Sequence, residues 1–92
     1  MVMQKGDNII FVGKKNSMAY VLAVVTQLNS GQNEVEIKAR GQSISKAVDV
    51  VEIVKNKFMP EMKVASISIG TDELKTEKET INVSRIDILI RK

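Results

Sequence analysis

The sequence predicts an α+β fold, a two-layer sandwich in which two helices cover one face of a four-stranded mixed sheet. The element order is β-α-β-α-β-β. Two segments repeat apolar residues at helical spacing, three alternate apolar with polar residues, and one is a short continuous apolar run. Two helices on one face of such a sheet are the natural packing for these elements. We expect residues 1–92 to form a single domain without repeats.

The first strand and the first helix precede Gly31. The apolar run from Ile9 to Val12, which Gly13 ends, predicts a buried strand. Asn16 or Ser17 can cap the helix, and Gly31 can adopt the left-handed conformation that ends it. The apolar stripe of this helix consists of Met18, Val21, Leu22, Val25 and Leu28.

The first helix is apolar nearly all round. Thr26 and Gln27 are its only clearly polar interior positions. A helix of this kind must be covered on more than one side, and one small sheet cannot cover it alone. We therefore predict a subunit interface on this helix.

Two further strands and the second helix are predicted between Gly31 and the last strand. Residues 34–39 alternate, which predicts a half-buried strand, and a helix follows from about Ser43 to Phe58, before Pro60. Residues 63–69 alternate again, with Ala65, Ile67 and Ile69 on one face. Residues 71–80 are polar, and we expect a connection too long for a tight hairpin turn.

The last strand changes its apolar phase. Ile81 and Val83 share one phase, whereas Ile86 and the alternate residues after it share the other. One extra residue near Ser84 and Arg85, a β-bulge, would bring all these side chains to the core face. We predict a bulge there.

Composition argues against catalysis and permits, without demanding, a polyanionic partner. The net charge is +3, and residues 1–57 hold eight basic and five acidic residues, against six of each in residues 58–92. The chain has no His and no Cys, which removes the usual proton shuttle and most nucleophiles and transition-metal sites. We expect no catalytic residue, no metal and no cofactor. Residues 1–7 are too short and polar for a signal peptide, and no apolar run reaches the roughly 18 residues of a membrane span, so we expect a cytoplasmic protein.

Two strand-to-helix junctions can bind phosphate. Gly13-Lys14-Lys15 places two lysines beside a helix N-terminus, which attracts anions through its free N–H groups. The nucleotide-binding spacing GxxxxGK is absent, and a merely solvated turn is the alternative. Lys38-Ala39-Arg40-Gly41 forms the second junction.

A right-handed crossover makes the first two strands parallel, so both junctions lie at one sheet edge. Lys46 is expected in the same neighbourhood. The three aromatic residues, Phe11, Tyr20 and Phe58, are placed where a core or an interface can use them, so no single-strand stacking platform is expected.

The chain resembles a known family, the Alba (Sac10b) chromatin proteins of archaea. The resemblance covers nearly the whole chain. The segments that carry it are Val12-Gly13-Lys14-Lys15, Met18-Ala19-Tyr20-Val21, Lys38-Ala39-Arg40-Gly41, Ile44-Ser45-Lys46-Ala47-Val48-Asp49 and Val83-Ser84-Arg85-Ile86. It implies a fold like the C-terminal domain of translation initiation factor three. It also implies a homodimer and binding to double-stranded DNA or RNA with little sequence preference.

The resemblance and the two junctions together give a set of candidate nucleic-acid-binding residues. These are Lys14, Lys15, Asn16, Lys38, Arg40, Gln42, Lys46, Lys75, Lys78 and Arg85. Phe58 matches a position associated with contact between neighbouring dimers, and a core residue is the equal alternative. Lys14 and Lys15 are candidate acetylation sites, because acetylation would delete a charge at the phosphate site.

Three departures from the family pattern weaken the expected binding. Asn16 stands where a proline commonly follows the lysine pair, and the neutral Gln42 stands where a basic residue is common. The hairpin arm carries four acidic residues against Lys75 and Lys78. We therefore expect Arg85, rather than the arm tip, to contact nucleic acid.

The main hypothesis is a non-enzymatic architectural protein that organises and condenses the chromosome and is associated with the nucleoid. It would form dimers, and higher-order assemblies on nucleic acid. The alternative is an RNA-binding accessory subunit of a ribonucleoprotein or RNA-processing complex. Phosphate contacts look the same for both, so the sequence does not separate them.

Overall fold

The computed structural model describes residues 8–92 as two helices packed on one face of a four-stranded sheet. The elements are β1 (Ile9–Val12), α1 (Ser17–Asn29), β2 (Glu34–Arg40), α2 (Ile44–Ile53), β3 (Lys63–Lys75) and β4 (Thr80–Arg91). A 3-10 turn, Gly41–Ser43, precedes α2, and a π-helical turn, Val54–Phe58, follows it. The segment 1–7, to which the signal-peptide expectation applies, lies outside the described residues.

The sheet is mixed, with the strand order β1-β2-β4-β3. β1 runs parallel to β2, whereas β4 is antiparallel to both of its neighbours, β2 and β3. The predicted fold class is therefore confirmed. Because β1 and β2 are parallel, their carboxyl ends meet at one edge of the sheet, where each strand leads into a helix.

The hydrophobic core lies between the helices and one face of the sheet. The β2 residues Val35, Ile37 and Ala39 are buried against α1 and α2, as their alternation predicts. The other core residues come from β1, the two helices, the π-helical turn, β4 and the segment before β3, and they are Ile10, Val12, Val21, Val24, Leu28, Ala47, Val50, Val51, Val54, Met62, Ile86, Ile88 and Ile90. The polar residues of β2 consequently lie on the opposite, open face of the sheet.

Helix α1 begins and ends where its capping residues predict. The Asn16 side-chain oxygen accepts a hydrogen bond from the Ala19 N–H at 3.1 Å, which identifies Asn16 as the cap. Gly31, just after the helix, has a φ of +106°, in the region that glycine tolerates best. On α1, Met18 and Leu22 stay exposed, so the predicted subunit interface on this helix remains a prediction with apolar surface available for it.

The structure corrects two predictions about the hairpin. The connection is not long, because β3 extends to Lys75 and residues 76–79 make a tight turn in which the Thr76 N–H donates to the Glu79 carbonyl at 2.8 Å. The Thr76 hydroxyl also accepts from the Glu79 N–H at 3.0 Å, which stabilises this turn. The predicted length was wrong because polar residues can form a regular two-stranded arm.

The predicted β-bulge near Ser84 and Arg85 was also wrong. Pairing between β3 and β4 is regular there, and the register shifts instead between Val64 and Ser66. Ile81 therefore lies on the face opposite Ile86. It pairs across the hairpin with Leu74, and this cross-strand apolar contact explains why the apolar phase can change without a bulge.

Strand β3 is the edge strand, and it is not covered by the helices. None of its thirteen residues is buried. Ile67 and Ile69 pair with the buried β4 residues Ile88 and Ile86, yet they are 61% and 78% exposed. The apolar face of the sheet thus extends beyond the part that α1 and α2 cover. None of the described helices is both long and apolar enough to cross a membrane.

Candidate nucleic-acid interface

Side-chain hydrogen bonds hold the turn between β1 and α1 from two sides. The Tyr20 hydroxyl accepts from the backbone N–H of Gly13 at 2.8 Å and from that of Lys15 at 3.1 Å. The Lys46 ammonium donates to the carbonyls of the same two residues, at 3.0 Å and 2.7 Å. Because Lys46 lies in α2, these bonds connect the two strand-to-helix junctions directly, at one sheet edge.

The charge of this turn comes from its lysine side chains. Two of its backbone N–H groups already donate to Tyr20, and the Ala19 N–H donates to Asn16. Lys14 and Lys15 are exposed, and within residues 8–92 neither forms an ion pair. The two ammonium groups are therefore the exposed charges of this turn.

A second group of candidate residues lies on the open face of the sheet. Arg40 of β2 pairs in register with Arg85 of β4, and Lys38 pairs with Asp87. These residues border an open groove of about 570 Å³. Its lining is completed by Phe11, Val12, Ala39, Ser43 and Asp72.

Unlike the two turn lysines, the cations of the groove are paired. Asp72 accepts from Arg40 Nε and from Arg85 Nη1, at 2.8 Å each. Asp87 accepts from Arg85 Nε at 3.3 Å and from Lys38 Nζ at 3.2 Å. The groove lining therefore holds three cations and two carboxylates, a small positive excess, although the sequence suggested a strongly basic surface.

The contact between Asp72 and Arg85 keeps both groups charged. The hydrogen bond from Arg85 lowers the pKa of the Asp72 carboxyl below its usual value, with Arg40 adding to the effect. The same bond raises the pKa of the Arg85 guanidinium, and Asp87 contributes in the same direction. Protonation therefore does not release these arginines near neutral pH.

Gly70 provides space for the Arg85 guanidinium. It lies directly opposite Arg85 in the β3–β4 register. A Cβ atom at this position would lie 2.8 Å from Arg85 Nη2, closer than such atoms approach without a shift. The bare backbone lets the arginine lie across the strand and reach Asp72, two residues further along β3.

The remaining candidates lie apart from these two groups. Lys75 ends β3, about 17 Å along the strand from Gly70, and Lys78 lies in the hairpin turn. Gln42 is exposed in the 3-10 turn. Phe58 is 43% exposed at the end of the π-helical turn, so it is not a core residue.

The sequence left either a core or an interface position for Phe11, and the structure excludes the core position, because Phe11 is 70% exposed on the open face beside Lys38. The interface position stays a prediction for Phe11.

Sequence reasoning did not identify Tyr20, Asp72, Asp87 or Gly70 as parts of the site. Asp72 was counted only as one of the acidic residues of the arm. The one available signal was the alternation of β4, which places Arg85 and Asp87 on the same face. In the described part of the chain, no cluster of three or more acidic residues could hold a metal ion.

Comparisons with known proteins agree with one another. The family model described as Alba matches residues 8–71. The DNA/RNA-binding protein Alba 1 of Archaeoglobus fulgidus is 54% identical over 94% of this chain and 97% of its own length. The DNA/RNA-binding protein Alba of Thermoplasma acidophilum is 55% identical over 91% of this chain and 94% of its own. The structure of Alba from Thermoplasma volcanium superimposes with a TM-score of 0.89 at 54% identity, covering 92% of this chain and all of the other.

Proposed function

The chain belongs to the Alba family, and we propose that it is a non-enzymatic architectural protein that binds double-stranded DNA and RNA through their phosphate backbones. The relatives at 54% and 55% identity are named DNA/RNA-binding proteins. The single observation that supports this proposal best is the turn with Lys14 and Lys15, whose backbone is held by four side-chain hydrogen bonds while its two ammonium groups form no ion pair within residues 8–92.

A turn with a hydrogen-bonded backbone and exposed lysine side chains suits binding without sequence preference. Each lysine that neutralises a phosphate releases condensed counterions, and this release is independent of the base sequence. Lys46 donates to turn carbonyls, so in this proposal it acts mainly by positioning Lys14 and Lys15. Asn16 caps α1 and Gln42 is exposed, so these two can add neutral hydrogen bonds to phosphates.

The open face and the hairpin are proposed to contribute less. Lys38, Arg40 and Arg85 reach the surface but are paired with carboxylates, which must be displaced before phosphates bind. Lys75 and Lys78 lie in an arm with a net acidic charge. Binding is therefore concentrated on the β1–α1 turn.

A matched pair of double variants tests this proposal. Lys14→Ala/Lys15→Ala should weaken binding to duplexes of unrelated sequence alike, by roughly tenfold or more at moderate salt. Lys63→Ala/Lys92→Ala removes the same charge at the opposite sheet edge, about 20 Å away along β4. Fluorescence anisotropy with labelled duplexes should show a small effect for the second variant. Equal losses in the two variants would rule out the turn as the binding site.

We also propose that the protein is a homodimer, in which a second copy covers the exposed apolar side chains of β3, Ile67 and Ile69. Ile67 and Ile69 continue the buried rows of β4 onto a strand that neither α1 nor α2 covers. Soluble proteins rarely leave a continuous apolar edge exposed. Ile69→Lys should shift the protein to monomer in analytical ultracentrifugation. A monomeric wild-type protein would refute the proposal.

Higher-order assembly on nucleic acid is proposed to use Phe58, which is 43% exposed. Phe58→Ala should leave the free dimer intact in ultracentrifugation. It should reduce the cooperativity of duplex binding. A variant with unchanged cooperativity would remove Phe58 from this role.

A second candidate function is an RNA-binding accessory subunit, which the DNA/RNA-binding names of the relatives favour. Competition between duplex DNA and structured RNA at one salt concentration decides between the two partners. A strong preference for RNA supports the accessory subunit, whereas equal affinity or a preference for DNA supports the architectural role and an association with the nucleoid.

Acetylation of Lys14 or Lys15 is proposed to reduce binding, because it removes a charge from an exposed ammonium group. Lys14→Gln and Lys15→Gln mimic the loss of charge. Each should lower duplex affinity in the same anisotropy assay. Unchanged affinity in both variants would end this proposal.

A further inference from the structure

The Asp72 carboxylate lies between two arginines from different strands. Its Oδ2 accepts from Arg40 Nε and its Oδ1 from Arg85 Nη1, both at 2.8 Å. One oxyanion therefore receives hydrogen bonds from two guanidinium groups on adjacent strands. Guanidinium groups bind phosphate oxygens with the same geometry as carboxylate oxygens.

The backbones of the two arginines are held in the sheet, and their side chains remain accessible to solvent. They are direct register partners on β2 and β4. Arg85 has a second acceptor in Asp87, at 3.3 Å, and the bare Gly70 backbone lies beneath its guanidinium. The Arg40 and Arg85 side chains are 59% and 37% exposed, so an anion from solution can reach both. Asp87 can therefore hold Arg85 in place when Asp72 is absent.

We propose that Asp72 occupies an anion site formed by Arg40 and Arg85, and that a backbone phosphate of the bound nucleic acid displaces it. This inference rests on the proposed function. In the free protein Asp72 keeps the site closed, so it lowers the affinity for nucleic acid and leaves Lys14 and Lys15 as the main contacts. The opposite role, in which Asp72 orients the arginines for phosphate, predicts changes of the opposite sign.

The neighbouring residue provides a matched control. Glu73 carries the same charge one position further along β3, so its side chain points to the other face of the sheet. Within residues 8–92 it forms no ion pair. Asp72→Asn and Glu73→Gln therefore remove the same charge, but only the first releases Arg40 and Arg85.

The test compares duplex affinity by fluorescence anisotropy at one salt concentration. Asp72→Asn should bind about fivefold to tenfold more tightly than wild type, the size expected for the release of two exposed ion pairs. Glu73→Gln should change affinity by less than about twofold. Arg40→Ala should cost more affinity in the Asp72→Asn protein than in wild type, because Asp72 no longer masks the arginine. Far-UV circular dichroism checks that each variant is folded.

Several outcomes overturn the inference. These are an affinity of Asp72→Asn equal to that of Glu73→Gln or below that of wild type, and a smaller loss of affinity from Arg40→Ala in the Asp72→Asn protein than in wild type. Failure of the wild type to bind duplexes in a salt-dependent way would instead refute the proposed function. In that case, an NMR titration of Asp72→Asn with inorganic phosphate tests the anion site independently of nucleic-acid binding. Saturable shifts of the Arg40 and Arg85 Nε–H signals support the site, and their absence overturns it.

Discussion

Tyr20 connects the stability of the fold to the shape of the lysine turn, and Tyr20→Phe tests that connection. The substitution keeps the ring that packs against the core and removes only the hydroxyl, which accepts from the Gly13 and Lys15 N–H groups. Each such bond contributes about 0.5–1.5 kcal/mol net. The half-buried Gly13 N–H loses more than the exposed Lys15 N–H, which water can reach. We expect the free energy of unfolding to fall by about 1–2 kcal/mol.

Thermal unfolding followed by circular dichroism measures this loss. For a domain of this size, 1–2 kcal/mol corresponds to a Tm lower by roughly 5–15 °C. Wild type and variant must be compared at the same protein concentration, because the proposed dimer would add concentration-dependent stability. Duplex affinity should fall as well, since the turn that positions Lys14 and Lys15 loses two of its hydrogen bonds. A Tm within about 2 °C of wild type, with unchanged affinity, would refute the assigned role of Tyr20.

Three further predictions concern the core and the response to pH. Ile37→Ala, at a fully buried position of β2, should lower the free energy of unfolding by about 2–5 kcal/mol in urea titrations, and a loss below 1 kcal/mol would contradict the described core. The pKa of Asp72 is lower in the folded protein, so its ion pairs stabilise the fold above the unfolded-state value of about 3.9 and are lost as pH falls through the folded value. Urea midpoints should therefore fall in acid less steeply for Asp72→Asn than for wild type, and parallel curves would argue against this linkage. Because the chain has no His and no Cys, duplex affinity should change by less than about twofold between pH 6 and 8.5, as binding isotherms across that range would show.

The sequence predicted most of the fold, because β2 and both helices carry periodic patterns that their own packing satisfies. Val35, Ile37 and Ala39 alternate and are all buried. β3 carries an equally clear pattern, yet Ile67 and Ile69 are exposed. Periodicity indicates which side chains share a face, but not whether the same chain supplies the element that covers that face.

The site was predictable only in part, for a similar reason. Lys14 and Arg40 stand beside strand ends, and the strand-to-helix order alone places such residues at one sheet edge. The pairing of Arg40 with Asp72 joins residues 32 positions apart and depends on the register of two strand pairs. The Tyr20 hydroxyl contact depends on how α1 packs on β1. Neither contact leaves a local pattern in the sequence.

The measurement that tests the central claim most directly is duplex affinity as a function of salt for the wild type and Lys14→Ala/Lys15→Ala. Log affinity should fall linearly with log salt, and the slope should become shallower by about 1.8 per protomer in the variant, about 0.9 for each lost phosphate contact. Lys63→Ala/Lys92→Ala should keep nearly the wild-type slope. A wild-type affinity insensitive to salt, or one slope shared by all three proteins, would contradict binding through the lysines of this turn.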